Sequence, residues 1–130
     1  MSDHEDEMKA LAMQRLATTY AGLVACCENL PLPIALPTGL VSNLDMIPVV
    51  RRIEQLADEQ PMPEEQQSQL YTGAILWLAA TDLYMLLVTE EYQEVRASGI
   101  LGILMIARDA ITDLGTWPVS YTHLTLPTKA

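Results

Sequence analysis

Between Tyr71 and Val88 the chain reads YTGAILWLAATDLYMLLV, apolar nearly throughout and interrupted by one charge, Asp82. A helix that is apolar on every side is expected to be buried, in a protein core or in a bilayer. A carboxylate inside it is then expected to have a partner, because an unpaired buried charge is costly. This segment therefore predicts a central helix, about residues 64–90, with sister helices packed around it.

The rest of the chain supplies those sisters. Hydrophobic residues make up 50% of the 130, which is enough for one real core. The content is aliphatic and Met-rich, with no Phe and few β-branched runs, which favours helices over a sheet. Met8, Leu11, Ala12, Leu16, Tyr20, Leu23, Val24 and Cys27 recur at three- and four-residue spacing and predict a helix from about Asp3 to Asn29. Leu30 to Leu40 is a proline-punctuated connector whose Leu and Ile residues should pack along the bundle. Pro33 to Pro37 lacks the spacing of a proline-rich ligand motif.

A second helix is expected from Ser42 or Asp45. Pro48 favours Asp45 as its cap, because proline belongs in a first turn. The third starts at Pro63, with Glu64 and Glu65 in its first turn, and ends at Thr89 or runs on to Arg96. The fourth includes Gly99 to Asp113, carries a small face at Ser98, Gly99 and Gly102, and should stop at a C′ glycine, Gly115. The expected fold is all-α, an irregular four-helix bundle over residues 1–118, with the first and fourth helices nearest the central one. Residual apolar surface at the connector or at Gly99 and Gly102 could support a homodimer.

Residues 119–130, VSYTHLTLPTKA, break with this logic: they alternate like a strand that has no partner upstream. They resemble the translated sequencing-adapter read-through that ends many translations of assembled environmental DNA. The segment is expected to be a non-native tail.

Composition narrows function mainly by exclusion. Net charge is −10, from 7 Lys and Arg against 17 Asp and Glu. A field of that sign repels nucleic acid and anionic membranes and suits docking on a basic surface. Tyr71–Val88 is long enough to span a bilayer, so a small membrane protein is one alternative. Yet Asp82 at mid-bilayer would cost roughly 2.5–3.5 kcal/mol, and Trp77 lies inside the run, away from any interface. A water-soluble bundle is the expectation. Cys26 and Cys27 are adjacent and cannot bridge each other in a helix. Together with the acidic start MSDHEDEMK, they suggest a reducing, cytoplasmic setting. The two histidines, His4 and His123, fall in a terminus and in the suspect tail, so the cysteines lack a triad base and ordinary zinc sites are excluded. No cofactor is expected, and no Gly-rich phosphate loop is present.

Carboxylates carry the remaining chemistry. Glu90, Glu91, Glu94, Asp109 and Asp113 resemble the acidic helices of all-α nucleotide pyrophosphohydrolases of the MazG type, a resemblance that implies magnesium-dependent hydrolysis. The family's first pair is spaced ExxE, whereas Glu90 and Glu94 stand four apart. A helical hairpin would also set the two clusters at opposite ends. Asp82 is better used in a structural, partly buried ion pair with Arg108, or with Arg15 on the first helix. The leading expectation is a non-enzymatic interaction protein that docks on a basic protein, a nucleic-acid-binding protein being one such partner. Glu64, Glu65, Glu90, Glu91 and Glu94 would be its contact charges, with Asp3, Glu5, Asp6 and Glu7 adding to the field. In size and charge the chain resembles phage-encoded inhibitors of bacterial defence nucleases.

Overall fold

The computed structural model describes residues 3–39 and 43–117. The tail expected at residues 119–130 and the candidate cap Ser42 lie outside them. Four α-helices run in order: α1 Asp3–Glu28, α2 Asn43–Leu56, α3 Glu64–Thr89 and α4 Glu94–Gly115, with a short 3-10 turn, Ala57–Glu59, after α2. The all-α bundle is as expected, and α3 is its centre, touching every other element. Its main neighbour is α4. Against expectation, α2 packs on it at least as extensively as α1 does.

The stripe on α1 is the buried one. Ala12, Leu16, Tyr20, Leu23 and Cys27 all enter the core, as their helical spacing requires. Trp77 is the largest fully buried side chain. Its indole N–H donates to the Leu16 carbonyl at 3.0 Å, and its ring lies 5.5 Å from that of Tyr20. That acceptor spares the buried indole the cost of an unsatisfied N–H.

α1 lies in the groove between α3 and α4, and Ile111 marks the meeting point. A Cβ added to Gly73 on α3 would stand 2.8 Å from Ile111 Cγ1, and one added to Gly22 on α1 would stand 3.4 Å from its Cγ2. The absent side chain at Gly73 is what lets the two backbones come this close. That contact fixes the antiparallel register of α3 and α4: position 73 is level with 111, so Asp82 is level with about Gly102. The pair separates after Thr89, at a turn over residues 90–93, which answers where the third helix ends.

The connector packs as expected. Leu30 and Leu36 are buried, and the Tyr20 hydroxyl donates to the Pro37 carbonyl at 2.6 Å. Gly39 takes a left-handed φ of 85°, which suits a residue without a side chain. The buried Gln60 amide brackets Leu32 from both sides. The Leu32 N–H donates to its Oε1 at 3.0 Å, and its Nε2 donates to the Leu32 carbonyl at 2.8 Å.

Two helix ends differ from expectation. α2 starts at Asn43, so Pro48 is inside the helix and Asp45 is not its cap. Proline there forgoes one backbone bond. Gly115 is the last residue of α4, not a left-handed stop. The cap is Thr116 with right-handed backbone angles, its N–H shared among the carbonyls of Thr112, Asp113 and Leu114. Gly115 instead sits against α1, where an added Cβ would be 3.8 Å from Cys26 Sγ.

Candidate functional site

The main departure from the sequence reading is on α3 itself. It is sheathed on one side only. The buried side holds Leu70, Gly73, Ala74, Trp77, Ala80, Thr81, Tyr84 and Leu87. Tyr71, Ala79, Asp82, Met85, Leu86 and Thr89 are exposed, and Ile75 and Leu78 are half-buried. At about 3.6 residues per turn these fall on one face. Met85 and Leu86 expose 47% and 43% of their surface.

Asp82 is on that outward face. The expected buried pair is therefore corrected: Asp82, Arg108 and Arg15 are all exposed, and no ion pair joins Asp82 to either arginine. The physical reason is rotational. The buried side of α3 combines small residues, Gly73, Ala74, Ala80 and Thr81, which let neighbouring backbones approach, with the core side chains Leu70, Trp77, Tyr84 and Leu87. The charge marks the wet side instead. α3 remains long and apolar enough to cross a membrane by length and composition, with only 33% of its apolar window buried.

α4 turns a similar face outward. Met105 and Ile106 are 61% and 58% exposed, and a Cβ added to Gly99 or Gly102 would meet nothing within 4 Å. α1 fills the groove on one side of the α3–α4 hairpin, and Asp82 and Gly102, each half a turn from the Gly73–Ile111 contact, point away from it on opposite sides of the hairpin. By the Gly73–Ile111 register, Met105 and Ile106 are level with Ala79 and Leu78.

The carboxylates divide between the two ends. Glu90, Glu91 and Glu94 lie at the α3–α4 turn, where the start of α1 joins them. His4 Nε2 is 2.9 Å from Glu94 Oε1, and Lys9 Nζ stands 6.0 Å from the centre of the Tyr92 ring. That brings Asp3, Glu5, Asp6 and Glu7, all in the first two turns of α1, to the same end as Glu90, Glu91 and Glu94. The Tyr92 hydroxyl donates to Glu94 Oε1 at 2.5 Å. This bond pushes the Tyr92 phenol up to about 12, and the bonds from Tyr92 and then His4 hold the Glu94 carboxyl below its usual range. Glu64 and Glu65 are at the other end of α3, about 39 Å away at ~1.5 Å per residue. There Glu64 shares a cleft of about 360 Å³ with Glu54, Gln55, Asp58, Gln67 and Tyr71.

The hydrolase pattern does not assemble. Glu91 and Glu94 have the three-residue spacing the resemblance asks for, but Glu91 is in the turn and Glu94 opens α4, so no helix face carries both. Asp109 lies a further ~22 Å along α4 from Glu94. Among the described residues no group of three His, Cys, Asp or Glu is placed to hold a metal ion. Cys27 is fully buried, and burial, with the adjacent Cys26 adding to it, pushes its thiol up to about 12. Burial raises the Cys26 thiol as well, and its S–H donates to the Ile111 carbonyl at 3.3 Å. Both are packing groups with little nucleophilic character.

Sequence reasoning missed the outward row on α3. A signal for it existed: Glu64, Ser68, Tyr71, Asp82 and Thr89 recur on one helical face. No protein-family model matches the chain, and comparison with curated proteins and with solved structures finds no similar protein.

Proposed function

We propose that this chain is a small acidic, non-enzymatic interaction protein that docks on a basic protein surface, as an inhibitor or accessory subunit of a protein that itself handles nucleic acid. One observation carries the reading. Seven carboxylates from the α1 start and the α3–α4 turn gather at one end of the bundle, and exposed apolar side chains, Leu86, Val88 and Val95, stand beside them. Clustered charge speeds encounter and selects partners of opposite sign. The apolar side chains supply the burial that turns encounter into affinity. The net charge of −10 works against direct binding to phosphate backbones.

The test places a photo-crosslinking residue at Val95, the most exposed of these positions, and identifies what it captures in cells of the native host. The captured protein is then purified and titrated against the chain. The reading expects a basic contact surface, affinity that falls steeply with salt, and at least a tenfold loss in E90K/E91K. Glu94 is left intact because it holds Tyr92 and His4. Binding that is indifferent to salt and to E90K/E91K would refute the reading.

A further inference from the structure

From the outward face of α3 we infer a docking site for a basic amphipathic helix of the partner protein. The inference rests on the docking reading above and specifies the partner's shape.

The face has three properties that together select this occupant. It carries apolar side chains along its length, Ile75, Leu78, Ala79, Met85 and Leu86, among the polar positions Ser68, Asp82 and Thr89. Its charges are of one sign: Asp82 is at its middle, Glu64 and Glu65 close one end of α3, and Glu90 and Glu91 close the other. A helix lying along α3 therefore meets carboxylates before, within and after its apolar contact. Lysine or arginine flanking an apolar stripe matches that arrangement.

The third property is adaptability: Met85 is unbranched and can adjust to the side chains it meets. Helices are recognised in this way when anchors at i, i+3 or i+4, and i+7 enter an apolar face.

Charge decides against the two rival occupants. A second copy carries the same −10 and would bring its own Asp82 and terminal glutamates toward these. An anionic membrane is repelled by the same carboxylates. The stretch from Tyr71 to Thr89 is about 27 Å long at ~1.5 Å per residue, which corresponds to an occupant of about 18 helical residues.

The test uses the full chain and two synthetic 18-residue helical probes with identical leucine faces. One carries lysines on its polar face and the other glutamates, and both are followed by fluorescence anisotropy. The lysine probe is expected to bind at least tenfold more tightly. M85Q/L86S is expected to weaken it at least tenfold, D82K to weaken it several-fold, and M105Q on α4 and M13S on α1, both at exposed positions, to leave it unchanged. Thermal melts followed by circular dichroism verify that each variant is folded. Equal binding of both probes, or binding of the lysine probe that survives M85Q/L86S, would overturn the inference. So would sedimentation showing a dimer that L86S dissociates, or neutral phosphatidylcholine vesicles binding the chain through Met85 and Leu86. If the captured partner is lost in E90K/E91K but retained in M85Q/L86S, the docking reading stands and this site falls.

Discussion

Gly73→Ala is the sharpest probe of how the helices meet, because its effect is opposed by a matched control. Alanine in place of a mid-helix glycine favours the helix by about 1 kcal/mol. At Gly73 that gain meets a collision: the new Cβ would be 2.8 Å from Ile111 Cγ1 and 3.3 Å from its Cδ1. Cγ1 is one bond from the branch point of a stiff side chain, and Ile111 is buried between α1, α3 and α4, so it cannot swing aside cheaply. Overpacking of this kind costs roughly 1–3 kcal/mol. The net expectation for G73A is a destabilisation of up to ~2 kcal/mol. Gly102→Ala receives the same helix gain with open space above it, and should be stabilised by about 0.5–1 kcal/mol. The gap between the two variants, about 1–3 kcal/mol, isolates the contact from propensity. Urea unfolding followed by fluorescence of buried Trp77 reads both, and the signs should appear as opposite shifts in midpoint at constant slope. I111V, which removes Cδ1, should recover part of the G73A loss. If G73A gains as much stability as G102A, the register of α3 against α4 is wrong, and with it the alignment of the outward face.

Four further outcomes are expected. Asp82→Asn should leave stability within about 0.5 kcal/mol of the parent by chemical denaturation, as for an exposed side chain without a partner; a loss above 2 kcal/mol would restore the buried pair. Gln60→Ala should cost about 1–2 kcal/mol through the Leu32 backbone groups it strands, and should speed proteolysis between residues 30 and 40; unchanged cleavage would show that water replaces the amide fully. In the native chain at pH 8, with a thiol near 12, Cys27 is thiolate in only about one molecule in 10⁴, so iodoacetamide should label it only after unfolding; native labelling at the rate of a free thiol would contradict its burial. The Tyr92–Glu94 bond gives a pH dependence with two arms. Tyr92 keeps its proton above its ordinary 10.0, so its contribution is present below 10 and is lost as pH climbs toward about 12. Glu94 is held low, so its contribution is present at neutral pH and is lost as pH falls through and below the usual carboxylate range. E94Q should flatten the acid arm and bring one phenol back toward 10 by absorbance at 295 nm; identical titrations of E94Q and parent would rule the bond out.

Helix existence was legible in the sequence wherever polar and apolar residues alternate at the helical period. α1 is the clear case, since its stripe of Ala12, Leu16, Tyr20, Leu23 and Cys27 leaves no choice of side. The rotation of α3 was not legible in the same way. Apolar residues surround it, so burial could not be assigned from hydrophobicity. Its rotation puts Gly73, Ala74, Ala80 and Thr81 where neighbouring backbones come near, with Trp77 and Tyr84 filling the core between them, and leaves Met85 and Leu86 outside. Asp82 then reads as a marker of the solvent side, not as half of an internal pair. The gathering of the α1 acidic start with Glu90, Glu91 and Glu94 depends on α1 running parallel to α4, a tertiary fact that no local spacing encodes.

The amide of Gln60 holds the main chain at Leu32 and ignores its side chain. Substitutions at Leu32 itself should therefore accumulate freely in relatives of this chain, while Leu30 and Leu36, buried in the core, stay apolar. A single inserted or deleted residue on either side of Leu32 would move the wrong peptide unit into the clasp. Natural variation there should take the form of changed letters at constant length, with Gln60 itself retained.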